Sequence, residues 1–185
     1  MNAQAINKRL FSFISQSPSP FHAVDSMKTI LEAAGFIELN EQADWKIKGG
    51  QPHYIIRENG SLIAFNLGKR HRESFRIVGS HSDSPCLQLK PQPDIYEKNY
   101  HQLGVEVYGG ALLNPWFDRE LSIAGRIVFQ KQDNSLCSKL IDFKRPIAVI
   151  PSVAIHLDRI ANSEKSINAQ TDIAPLIGLT ADRKI

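Results

Sequence analysis

The segment Phe75-Arg76-Ile77-Val78-Gly79 is a short apolar run that passes without a break into Ser80-His81-Ser82-Asp83-Ser84-Pro85. A strand ending in clustered polar side chains is how α/β sheets present chemistry at the carboxyl ends of their strands. This junction constrains the fold more than any other stretch, because it predicts a buried strand at 75–79 inside an α/β sheet.

The flanking segments fit such a sheet. Ile6, Leu10 and Phe13 recur at helical spacing, so residues 4–16 are expected as an amphipathic helix. Ser17-Pro18-Ser19-Pro20 breaks it, and Ser19 as N-cap with Pro20 at the first helical position opens a second helix, with an apolar stripe Val24, Met27, Leu31 and Ala34 that ends at Gly35. His53 to Glu58 and Ser61 to Leu67 flank Asn59-Gly60, a pair that tolerates the positive φ of a type I′ hairpin turn. Lys69 to Glu73 is expected as a charged loop.

After Pro91 and Pro93 the texture changes. Leu103 to Tyr108, Leu121 to Gln130, Cys137 to Phe143 and Ile147 to Ile150 are strand-like, separated by Gly, Pro, Asn or Asp, and Ala154 to Ala161 is expected as a closing helix. The seam falls near 84–93. The expected division is residues 1–84 as the first part of an α/β domain and residues 85–185 as a β-rich second domain.

Composition narrows the function classes. With 185 residues, 42% apolar and 22% charged, the chain can bury a core and is not disordered. Lys and Arg number 22 against 19 Asp and Glu, a balance of +3 without a long basic run, so no nucleic-acid partner is expected. Lys69-Arg70-His71-Arg72 lacks aromatic interleaving and is expected as a solvated loop. No segment approaches the roughly 18 apolar residues of a membrane span, and Asn7, Lys8 and Arg9 interrupt any signal-peptide core. Cys86 and Cys137 are the two cysteines, too few for a secreted disulfide scaffold. A cytoplasmic protein without a membrane partner is expected, and the sequon Asn59-Gly60-Ser61 is then a turn.

His81 and Asp83 are the most informative local pair. In a strand, residues i and i+2 face one side. A neutral imidazole is a good zinc ligand, and a nearby carboxylate holds its tautomer and raises its basicity. An isolated His-x-Asp is more often a loop hydrogen bond than a ligand pair, and a metal site needs three or more protein ligands. No His-Glu-x-x-His or cysteine set completes one, and neither a serine-hydrolase elbow nor a phosphate-binding glycine loop is present.

Five ordered blocks add weight to the pair. Ser80-His81-Ser82-Asp83-Ser84-Pro85-Cys86-Leu87 resembles the H-T-D-S-P-C-L signature of the aspartyl aminopeptidase family, metallopeptidase family eighteen. Residues Ser17 to Ala23 are similar to its S-P-T-P-F-H-A block, and Gln102 to Gly110 resembles Q-x-G-V-E-x-Y-G-G. Trp116 to Arg126 resembles W-F-D-R-D-L-S-L-A-G-R, with Glu120 for the usual Asp, and Ile150 to Leu157 resembles I-P-x-L-A-I-H-L.

The resemblance implies an α/β proteolytic domain interrupted by a β-rich dimerisation domain, and tetrahedral assemblies of dimers. It implies a zinc-dependent aminopeptidase that removes N-terminal residues, preferentially Asp or Glu, from peptides, using a water activated by two Zn2+ ions. His81 would be a metal ligand, Asp83 its orienting carboxylate at the catalytic centre, and His156 a substrate-binding residue offered to a neighbouring subunit. The family's bridging Asp, its Glu-Glu pair, a further acidic ligand and a last His follow the insertion, beyond Ile185. The expectation is therefore a truncated member of the family, a homo-oligomer whose zinc occupancy is in question. The alternative is a non-catalytic fragment acting as an oligomerisation module.

Other candidates have plainer roles. His22 in the first turn of the second helix suits capping better than chemistry. His156, between Ile155 and Leu157, has the pattern of a core histidine unless the resemblance holds. Trp116 and Phe117 before Asp118-Arg119 suit packing at a strand entrance beside an ion pair better than a substrate platform. Cys86 and Cys137 are expected as small buried hydrophobes.

Overall fold

A computed structural model describes residues 2–68 and 74–180. Helix α1 (Ala3–Ser15) begins where the Asn2 side chain accepts from the Ala5 amide at 2.9 Å, and α2 (Pro20–Ala33) begins at Ser19. Ser19 Oγ lies 3.4 Å from the His22 amide and 2.7 Å from His22 Nδ1, so His22 belongs to the helix cap. Helix α2 ends on Gly35 at φ +83°, with Gly35 N donating to Glu32 O (2.9 Å) and Phe36 N to Leu31 O (3.0 Å). This paired closure satisfies two terminal carbonyls and needs a residue without Cβ strain. Ser19→Ala is expected to cost about 1 kcal/mol of stability, measured by urea unfolding.

Strand β1 (Ile37–Glu38) pairs in parallel with β2 (Pro52–Arg57), which pairs antiparallel with β3 (Ser61–Asn66). The hairpin turn is displaced by one residue from the expected Asn59-Gly60. Gly60 N donates to Arg57 O at 3.1 Å, and the two central residues with positive φ are Glu58 (52°) and Asn59 (55°). The register Arg57↔Ser61 leaves three residues outside the ladder, so Gly60 follows the turn. Ala23, Val24 and Tyr54 are buried here. Tyr54 Oη donates to carboxylates of α2 and β1, lying 2.9 Å from Glu32 Oε1 and 3.1 Å from Glu38 Oε2.

Residues 75–79 form no strand, which corrects the expectation. An apolar run becomes a strand only when neighbours supply its ladder bonds. No described residue does so here, and Ile77 and Val78 stand 87% and 98% exposed. The charged stretch 69–73 lies outside the described residues.

The sequence did not mark β4 (Cys86–Glu97) as a strand, because Pro91 and Pro93 lie within it. It forms an antiparallel hairpin with β5 (Tyr100–Tyr108) through Lys98 and Asn99, both at positive φ. The prolines are tolerated because the pairing register breaks between Leu89 and Asp94 and because β4 is the edge of its sheet.

A 3-10 turn, Asn114–Trp116, follows. Then come the ribbon β6 (Ala124–Gln130) and β7 (Leu136–Asp142), and finally β8 (Leu176–Leu179), which pairs with β5. The expected strand at 147–150 is reduced to isolated bridges, Phe117↔Ile150, Leu121↔Ala148 and Val149↔Leu176. The expected helix at 154–161 is a run of turns. Leu157 N and Asp158 N both bond to Ala154 O, and the ladder is not continued.

The chain divides into two compact units, Met1–Asp83 with Ala124–Ile141, and Ser84–Ile123 with Asp142–Ile185. Residues 124–141 thus belong to the first unit and residues 84–123 to the second. In the second unit the core is Val105, Ile150 and Ile173, with Leu87, Trp116, Phe117, Leu121 and Ile167 packed against it.

Candidate functional site

The His-x-Asp segment leaves the first unit's hairpin under local control. Ser82 Oγ donates to Gly60 O at 3.3 Å, tying the segment to the β2–β3 turn. His81 Nδ1 lies 3.0 Å from Asp83 Oδ1 and 2.9 Å from Asp83 O. The imidazole side chain is 82% exposed and the carboxylate 34%. A ring whose Nδ1 is held by a carboxylate keeps Nε2 as its outward donor atom, the arrangement found behind metal-ligating histidines. The two residues are therefore brought together, on a loop and not on the strand from which their common face was expected.

The dyad suits one zinc ligand. A zinc site needs at least three protein donors, and among the described residues no group of three or more His, Cys, Asp or Glu side chains gathers to hold a metal. The donors present do not close a metal site, so no chemical step is assigned through zinc in this chain.

His156 lies in the second unit within the turns 154–161 and is exposed, so the core-histidine alternative does not hold. Its loop is anchored at the start. Ser152 N donates to Asp118 Oδ1 at 2.8 Å, and Asp118 N, at φ +53°, donates to Ile150 O at 2.9 Å. The Ser152 hydroxyl, and then its amide, hold the Asp118 carboxyl below the usual aspartate range, while desolvation opposes this and the Lys165 charge assists it. Farther along, Lys165 Nζ pairs with Asp158 Oδ2 at 3.1 Å and sits 5.4 Å from the centroid of the Phe117 ring.

Trp116 and Phe117 pack against the core as expected, but Asp118 turns to Ser152 and makes no ion pair with Arg119 among the described residues. Sequence reasoning missed this join between the 116–126 and 150–157 blocks, since neither block signals its contact partner. It also missed Arg126, whose guanidinium lies 4.6 Å from the Phe21 ring centroid and donates to Glu58 O at 2.8 Å. Cys86 and Cys137 are both half-buried and stand in no disulfide among the described residues. No helix among the described residues is long and apolar enough to cross a membrane.

A family model described as "Aminopeptidase I zinc metalloprotease (M18)" matches residues 13–185. This match, over a mixed α/β fold, places the chain among the metallopeptidases. Relatives sharpen this. The chain is 51% identical over 174 residues to a probable M18 family aminopeptidase 2 of Ectopseudomonas mendocina (strain ymp), covering 93% of this chain and 40% of the relative. It is 49% identical over 176 residues to the protein of the same description from Pseudomonas fluorescens (strain SBW25), covering 94% and 41%.

Among solved structures, a chain in a cryo-EM structure of the Ape4 and Nbr1 complex is similar at a TM-score of 0.88 and 40% identity, covering 92% of this chain and 33% of that one. The structure of an S. cerevesiae mApe1 dodecamer is similar at a TM-score of 0.79 and 30% identity, covering 96% and 39%. The chain belongs to the M18 aminopeptidase family, the hydrolase class of metallo-aminopeptidases. It spans about 40% of the length of the curated relatives it matches.

Proposed function

We propose that this chain contributes one zinc ligand and one substrate contact to an oligomeric aminopeptidase that removes N-terminal residues from peptides, with preference for Asp and Glu. His81 is the metal ligand, Asp83 the carboxylate that fixes its tautomer, and His156 the side chain offered to a neighbouring subunit's substrate. The observation that carries this reading is the 3.0 Å contact between His81 Nδ1 and Asp83 Oδ1, which leaves the other ring nitrogen of a solvent-facing imidazole as the donor. The dodecamer described for a structural neighbour supports assembly of copies of this chain. The two cysteines, in no disulfide among the described residues, fit a reducing, cytoplasmic setting.

A second reading, an oligomerising chain without catalysis, is favoured by the lack of a three-donor group among the described residues. The metal-to-chain ratio of tag-free protein, measured by elemental mass spectrometry after dialysis against metal-free buffer, separates the two. Near two zinc per chain, falling in His81→Ala, is the result expected if the remaining ligands come from another chain. A ratio near zero in both proteins overturns the metal role and leaves assembly.

A further inference from the structure

The loop that carries His156 exposes Val153, Ile155, Leu157 and Ile160 and forms no continuous helix, so little of its conformation is set by its own burial. Two contacts made by residues outside the loop's exposed turns supply what burial does not. At its start, Ser152 N is fixed 2.8 Å from Asp118 Oδ1, and Asp118 is itself bonded through its amide to the core residue Ile150. Past His156, Asp158 is held 3.1 Å from Lys165 Nζ, and that ammonium lies over Phe117, the residue next to Asp118. Both side chains of this ion pair are mostly buried, at 20% and 27% exposed, which raises its value over a solvent-screened pair. Both contacts lead back to adjacent residues, Phe117 and Asp118, on one stretch of backbone packed against the core.

We propose that Asp118 and Lys165 are positioning residues that clamp the 152–161 loop on both sides of His156 and so present His156 in a fixed orientation. The proposal rests on the reading of His156 as a substrate contact. Neither residue touches substrate. Their part is to lower the conformational freedom the loop would lose when a peptide engages it, which is how a preorganised contact gains affinity.

The test uses the 185-residue chain, hydrogen exchange, and a carbon-13-labelled histidine spectrum. In Asp118→Ala the amides of Leu157 and Asp158, both bonded to Ala154 O, are expected to exchange about tenfold faster. The His156 resonance is expected to move toward that of an unstructured peptide. The amides of Val149 and Leu176, which bond to each other's carbonyls at 3.0 and 2.8 Å beside the core, are expected to keep their protection. Asp118→Asn retains an acceptor for Ser152 and is expected to restore the wild-type His156 resonance. Lys165→Met, which removes the charge and keeps the length, is expected to free the Ala161 amide, bonded at 3.2 Å to Asp158 O.

Unchanged loop exchange and an unchanged His156 resonance in both Asp118→Ala and Lys165→Met overturn the clamp. So does an equal acceleration at Val149 and Leu176, which marks a general loss of stability. If Asp118→Ala does not fold, Lys165→Met decides by the same criteria. A peptide beginning with Asp, added to the unaltered chain, separates the two layers. A His156 resonance that it does not move counts against the substrate role and leaves the clamp standing.

Discussion

Ile150→Ala is expected to lower the unfolding free energy by about 2–5 kcal/mol, the largest effect of any single substitution considered. Ile150 is 1% exposed and lies at the centre of the second unit's core with Val105 and Ile173. Truncation removes buried methyl and methylene groups and leaves a cavity among neighbours that sit on different strands and turns. They cannot close over it without disturbing the bond from Asp118 N to Ile150 O or the bridge from Phe117. Leu112→Ala is the control, since Leu112 is 79% exposed and its loss is expected within about 0.5 kcal/mol. Equal midpoints for the two variants in urea would contradict this account of the core.

Tyr54→Phe is the second large effect. The phenol is fully buried while its hydroxyl reaches the carboxylates of Glu32 and Glu38, so one side chain ties α2, β1 and β2 together. Removing the hydroxyl forfeits hydrogen bonding to charged groups, about 1.5–3 kcal/mol, with the lower end expected because both carboxylates keep contact with water.

The pH dependence has a definite sign. Burial first, and then the hydrogen bonds to the two glutamates, push the Tyr54 hydroxyl well above the usual tyrosine range. The unfolded chain ionises this residue above about pH 10 while the folded one keeps it neutral, so its stabilisation is present below that pH and is lost as pH rises beyond it. The difference in stability between wild type and Tyr54→Phe is therefore expected to shrink between pH 8 and pH 11 in urea titrations. A constant difference would show that ionisation of the hydroxyl is not linked to folding. At the acid end, Glu38 is held below the usual range chiefly by the Lys28 hydrogen bond, so its contribution disappears as pH falls below about 4.

What the sequence revealed follows the range of the interactions involved. The two helices and the closure at Gly35 are local matters of caps, spacing and one positive φ, and they were legible at Ser19, Pro20 and Gly35. The hairpin was legible in place but not in register, since a positive φ at Glu58 is not something its residue type advertises. Strands depend on partners far away in the chain. Residues 75–79 have strand composition and no described partner, whereas β4 has two prolines and a partner that accommodates them. The His81–Asp83 contact needed only two residues of separation and was visible in the motif. The Asp118–Ser152 contact spans 34 residues and was not, although both ends stood in recognisable blocks.

The irregular register of β4 also bears on how the chain behaves at high concentration. An edge strand with an unbroken row of amides and carbonyls is a template on which another chain can add, and the stacking that follows leads to insoluble fibres. Pro91 and Pro93 remove two donors from the middle of that row, where the ladder to β5 already lapses. A twelve-residue strand thus offers only short stretches to an incoming backbone, and the sheet is guarded against open-ended growth by the same two residues that hid it from a reader of the sequence.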